Sequence, residues 1–297
     1  MRILLPFIII LTLLFSACEK DINLDLQGTS PQLVVNGWIT NTPANVPAVS
    51  YFPSPKLGPI TNTSGYIVKL TTTANYYASN NTPPVSGAIV IITGSDNPSV
   101  KDTLVETPAG SGTYVGKSGQ VGKPGVTYSL YIKYNNQTYT AHDLLDSIPP
   151  IDSASYTLNT GRGSKTKYRI TYYTHNIPGN HYYLFKYYRN DSLLENTTTI
   201  DIAGTQYFVN PNAPELNTES PYLYKSSDFS YFELYSISDT LYNYYSQLSQ
   251  QLSTSGPGGG FATVFTTVPA NVHGNISNGG LGFFQASMYW TRTDSIK

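Results

Sequence analysis

The 297-residue chain has one cysteine, four histidines, six Glu and twelve Asp, and their placement limits the chemistry open to it. His142, His175, His181 and His273 are scattered. No pair has metal-site spacing, and Pro178-Gly179 breaks any strand that would join His175 to His181, so capping or solvent-facing roles are expected, with no metal. A serine nucleophile would sit in a Gly-x-Ser-x-Gly elbow, which is absent. Gly161-Arg162-Gly163-Ser164-Lys165 lacks the glycine frame of a phosphate loop and reads as a solvated turn. Gly256-Pro257-Gly258-Gly259-Gly260 has no Lys after it and reads as a flexible loop. Carboxylates far apart in sequence can converge on a glycosidic bond, but the acids are few and many sit at turns, so catalysis is the minor reading and no cofactor is expected. One hydroxyl pattern does recur. Six of the twelve Asp precede Ser or Thr and then an apolar residue, at Thr103, Ser147, Ser153, Ser192, Thr240 and Ser295. Asp-Ser and Asp-Thr also start turns and cap helices, which is the competing reading.

The cysteine is the most informative residue. Arg2 precedes an apolar run from Ile3 to Phe15, which ends in Ser16-Ala17-Cys18 before the chain turns polar at Glu19-Lys20-Asp21. That run falls short of the roughly 20 apolar residues of a membrane span and reads as a signal peptide over residues 1–17. Ser16-Ala17-Cys18 resembles the lipobox of bacterial lipoproteins, with Phe15 in place of the usual Leu; the resemblance implies that Cys18 is lipidated and becomes the N-terminus. Residues 18–30 then form a tether, and the Glu19-Lys20-Asp21 cluster resembles an acidic export signal to the outer face. With no other Cys, the mature chain has no internal disulfide.

The elements behind these groups read as mainly β. Charged residues are only 12% of the chain, while 26 Tyr, 30 Ser and 34 Thr supply the polarity, a palette suited to pleated sheet. A net charge of −1 offers no dense positive field, so nucleic acid is excluded as a partner. Strands are expected at Leu33 to Thr40, Tyr66 to Thr73, Gly87 to Thr93, Asp102 to Glu106 and Tyr128 to His142, the last folded back at Asn135-Asn136. They predict an immunoglobulin-like or transthyretin-like β-sandwich over 31–148. Ser147-Ile148-Pro149-Pro150 marks the junction to a second β-rich domain, 149–297, with strands at Lys167 to Thr174, His181 to Arg189, Phe261 to Val268 and Gly282 to Thr291. Leu241, Tyr245, Leu248 and Leu252 share one helical stripe behind a Ser238 cap, predicting one inserted helix over 238–252.

In order along the chain, Leu33-Val34-Val35-Asn36-Gly37-Trp38-Ile39, Pro84-Val85-Ser86-Gly87-Ala88, Gly125-Val126-Thr127-Tyr128, Pro149-Pro150-Ile151-Asp152-Ser153, Asn180-His181-Tyr182-Tyr183 and Gly274-Asn275-Ile276-Ser277-Asn278-Gly279 resemble a family of Bacteroidota lipoproteins classed only as a numbered domain of unknown function. Members are often encoded beside TonB-dependent outer-membrane transporters. The resemblance implies a lipoprotein anchored in the outer membrane, exposed at the cell surface and partnered with such a transporter in nutrient uptake. It carries over no catalytic residue, and the ligand stays unread. The Asp-Ser/Thr-apolar pattern likewise resembles an O-glycosylation sequon of exported proteins in this phylum. The alternative is a carbohydrate-binding or adhesive surface module, with Trp38, Trp290 and the Tyr-rich strands as stacking platforms; core packing explains the same aromatics and is favoured.

Overall fold

Val35 and Ile39 are buried in one apolar core while Trp38 turns to the other face, and in the computed structural model this stretch is the first strand, β1 (Leu33–Thr40). The structure describes residues 30–42, 64–74, 82–159, 161, 167–190, 192–194, 200–207, 215–255, 272 and 274–297. All the elements below lie in one compact unit, Pro31–Lys297. The fold is mainly β, as expected.

The strands that follow are β2 (Tyr66–Thr72), β3 (Ile89–Gly94), β4 (Asp102–Thr103), β5 (Val105–Glu106), β6 (Thr113–Val115), β7 (Thr127–Tyr134) and β8 (Gln137–Leu144). Tyr128, Leu130 and Ile132 of β7 face inward between Ser129, Tyr131 and Lys133. Asn135 and Asn136 take φ of 47° and 59°, the left-handed pair that turns β7 into β8. The sheets β5–β6–β2–β1 and β4–β3–β7–β8 enclose a core that includes Val68, Leu70, Ile92 and Leu130. The expected strand Asp102 to Glu106 changes sheet at buried Leu104, so β4 pairs β3 while β5 pairs β6.

Beyond the prolines come β9 (Ser153–Leu158), β10 (Lys167–His175), β11 (Tyr182–Arg189), β12 (Ser192–Leu194), β13 (Ile202–Gly204), β14 (Glu215–Glu219), β15 (Tyr224–Lys225), β16 (Phe229–Ile237), α1 (Asp239–Ser255), β17 (Leu281–Ser287) and β18 (Tyr289–Ser295). β10 pairs β9, β14 and β15 in one sheet, and β12–β11–β16–β18 form the other; their shared core includes Ile170, Tyr172, Tyr187 and Phe232. α1 begins where Ser238 Oγ accepts the Leu241 N–H at 3.2 Å, and Leu241 and Tyr245 bury its apolar stripe. The expected strand Phe261 to Val268 lies outside the described residues.

The expected division between 148 and 149 does not partition the sheets. β17 runs parallel to β1 and is the edge of the first sheet, from Val34↔Leu281 to Thr40↔Ser287. One residue later, past Met288, β18 pairs antiparallel with β16 in the second sandwich. Gly282 makes this close approach feasible: its φ is +85°, and a Cβ there would lie 2.0 Å from the Val35 carbonyl oxygen. The sandwiches also share an apolar layer of Trp38, Leu184, Tyr235, Ile237, Leu241 and Phe283.

Candidate functional site

The register of β11 against β16 sets Lys186 opposite Glu233. Both lie on the sheet face turned away from the second sandwich core, with Tyr188 beside the lysine and Tyr231 and Tyr235 on either side of the glutamate. Glu233 is 2% exposed and Lys186 8%. An ionised carboxylate at that depth costs several kcal/mol unless hydrogen bonds replace its water. Tyr188 and Tyr235 supply them, their hydroxyls donating to Glu233 Oε2 at 3.1 and 2.8 Å. The Lys186 ammonium lies 5.2 Å from the Trp38 ring centroid and 5.0 Å from that of Tyr235, inside cation–π range. Trp38 meets Tyr235 edge-on at 5.8 Å, and Tyr289 stacks on Tyr235 at 5.1 Å. Burial first, and the Glu233 charge second, push the Tyr231 and Tyr235 hydroxyls far above the ordinary phenol range, so both stay protonated. Trp38 comes from β1, so the charged cluster also joins the sandwiches. Phe229, 57% exposed, continues the same strand face to the surface. The arrangement sets a carboxylate and an ammonium within buried aromatic walls, which is chemistry of locking the two sandwiches together.

The strap between the sandwiches, residues 145–152 between β8 and β9, uses two of the histidines. Asp146 lies 2.8 Å from His181 Nδ1, and Asp152 lies 3.0 Å from His175 Nδ1 while also accepting the His175 backbone N–H at 2.7 Å. The His175 hydrogen bond holds the Asp152 carboxyl below its ordinary range. Trp290 donates its indole N–H to the Ile148 carbonyl at 3.1 Å. Among the described residues no three His, Cys, Asp or Glu side chains come together as a metal site. Another carboxylate, Asp143 of β8, is pushed up to about 6 by burial while accepting the Ala286 N–H of β17 at 2.9 Å. A small cavity of about 10 Å³, room for about one water, lies between the sheets of the second sandwich, walled by Tyr172, Thr174, Tyr183, Phe185, Phe232 and Leu234. Burial pushes the Tyr183 hydroxyl there up to about 12.

The six hydroxyls singled out in the sequence are spread over both sandwiches. Thr103, Ser147, Ser153, Ser192, Thr240 and Ser295 are all exposed. Their apolar followers turn inward: Leu104, Ile148, Leu241 and Ile296 are buried, Ala154 and Leu193 half-buried. The turn-forming reading also finds a case, since Asp146 Oδ1 accepts the Ser147 N–H at 2.9 Å. Cys18, His273 and Gly256 to Gly260 lie outside the described residues. Trp38 is a core residue, and Trp290 is half-buried. Glu233, Lys186 and the strap aspartates were not recognisable as partners, because each pairing joins strands distant in sequence.

No curated protein matches the chain. A family model described as a domain of unknown function, DUF4249, matches residues 58–293, which takes in the strap, Lys186, Glu233 and every strand of both sandwiches except β1, with its Trp38, and the last two residues of β18. With most of its length inside that match, the chain belongs to the DUF4249 family.

Proposed function

We propose that this protein is a lipoprotein of the outer membrane, anchored through Cys18, displayed at the cell surface and acting as an accessory or ligand-capture partner of a TonB-dependent transporter in a Bacteroidota cell. The observation that carries this reading is the sole cysteine, placed directly after a short apolar leader and small residues. Acyl chains contribute about 0.8 kcal/mol per buried CH₂, and several anchor a protein stably. Among the described residues no helix is long and apolar enough to cross a membrane. The body takes a binding role without catalysis or cofactor. Exposure of all six Asp-Ser/Thr-apolar hydroxyls supports O-glycosylation at those positions, foremost Ser147 on the strap and Ser153 at the start of β9.

The test is made in the native envelope. Wild-type protein is expected in the membrane fraction, cleaved by protease added to intact cells and co-purifying with a transporter in mild detergent. Cys18→Ala is expected to be released as soluble protein. A Cys18→Ala protein that stays in the membrane would overturn the anchor. Binding to glycans with no transporter recovered would favour a carbohydrate-binding module instead. Intact mass equal to the lipidated polypeptide alone would remove the glycosylation.

A further inference from the structure

Sheet edges invite pairing with other chains, and proteins guard them with charge, brevity or a cover. Most edges here are guarded. β4, β5, β12, β13 and β15 are two or three residues long. β14 has Glu215 and Glu219 at its ends. β18 carries Arg292 and Asp294 bonded to each other at 2.9 and 3.0 Å. β8 is covered by Ser277, whose Oγ and N–H bond the Thr140 backbone, and the outer side of β17 meets Asp143.

β9 is different. Ser153-Ala154-Ser155-Tyr156-Thr157-Leu158 is six residues long and has no charge, proline or glycine. The Asn159 N–H donates to the Lys167 carbonyl at 2.8 Å, so odd-numbered residues of β9 bond β10. The N–H and C=O of Ala154, Tyr156 and Leu158 therefore point outward. Tyr156 is 40% exposed and Leu158 51%.

We propose that two copies of the chain associate edge to edge through β9, antiparallel about a two-fold axis at Tyr156. The sequence is self-complementary in that register. Tyr156 meets its own copy as a doubly hydrogen-bonded pair, and Ala154 meets Leu158 of the other copy, small against large. No like charges are opposed, because the strand has none. Six outward backbone groups per copy find partners, and the β9–β10 sheet continues across the axis. A two-fold contact at one edge closes on itself and does not propagate into fibres.

Sedimentation and oxidative cross-linking of the full chain in detergent test the proposal. Wild type is expected to shift from monomer to dimer with rising concentration. Tyr156→Lys, which sets two ammonium groups face to face at the axis, is expected to stay monomeric with an unchanged melting temperature. In a doubly bonded antiparallel pair the Cα atoms are about 5.5 Å apart, so Tyr156→Cys is expected to oxidise to a disulfide dimer. Ser155→Cys places its Cα more than about 7 Å from its copy and is expected to remain uncross-linked. Both variants keep Cys18, so any dimer through a Cys18 left unlipidated would appear equally in each. A wild type that stays monomeric throughout, a Tyr156→Lys dimer as strong as wild type, or equal cross-linking at 155 and 156 would overturn the proposal.

Discussion

Glu233 is the residue at which the chain accepts a large electrostatic cost, and the tyrosines around it make the cost bearable. Glu233→Ala is expected to cost about 2–5 kcal/mol in urea unfolding, because it strands the buried Tyr188 and Tyr235 hydroxyls that donate to its carboxylate. Tyr188→Phe, which removes a single charge-assisted bond, is expected to cost about 1.5–3 kcal/mol. Asp143 behaves in the opposite sense. Its carboxyl sits at about 6 against an ordinary 3.8, so the fold holds that proton more tightly than the unfolded chain does. Stability therefore rises as pH falls through about 6 and levels off below 3.8, a gain of roughly 3 kcal/mol. Burial moves Asp201 the same way. Asp96, Glu106, Asp152 and Asp228 are shifted downward, and what they contribute is lost only as pH falls below the ordinary carboxylate range. The optimum is expected on the acid side of neutrality. Asp143→Asn, which keeps an acceptor for Ala286, should raise stability near neutral pH and flatten the slope between about pH 7 and about pH 5 in paired urea titrations.

At the scale of elements, the loop before β17 is a staple. Asn275 Nδ2 donates to the His142 and Phe284 carbonyls at 3.0 and 2.7 Å, and its Oδ1 accepts the Phe284 N–H at 2.9 Å. Asn275→Ala is expected to cost about 2–3 kcal/mol and to speed amide exchange at Phe284 before the rest of β17. The sequence reads this loop only as a tight turn, because its partners lie on β8 and β17. Local pattern was enough for β1, for the Asn135-Asn136 hairpin and for α1, where alternation, left-handed Asn and a Ser cap act within a few residues. β16 was not legible: Phe232, Leu234, Tyr235 and Ile237 bury both its faces, which erases the alternation. β9 escaped for the reverse reason, being polar and at an edge. The sheet changes at Leu104 and Met288 leave the period of two intact, so one strand in the sequence became two in the fold. The site was less legible still, since Lys186 and Glu233 look like ordinary solvated charges until the register of β11 on β16 brings them together.

For the whole molecule, the two sandwiches share the segment from Leu281 to Ser295, which gives each of them a strand. A chain ending at residue 273 is expected to lose both cores together, with one early thermal transition and strong binding of a hydrophobic dye, whereas two independent domains would leave the first intact. The shared segment also sets a timetable. β1 is among the first residues to leave the ribosome, and its parallel neighbour β17 follows about 240 residues later, so its edge stays open through nearly all of synthesis. A half-made chain has no finished domain to bury its aromatic strands and remains threadable, which suits the export proposed above, in which it would pass a narrow translocation pore as an open polymer and close only after β17 and β18 had cleared it.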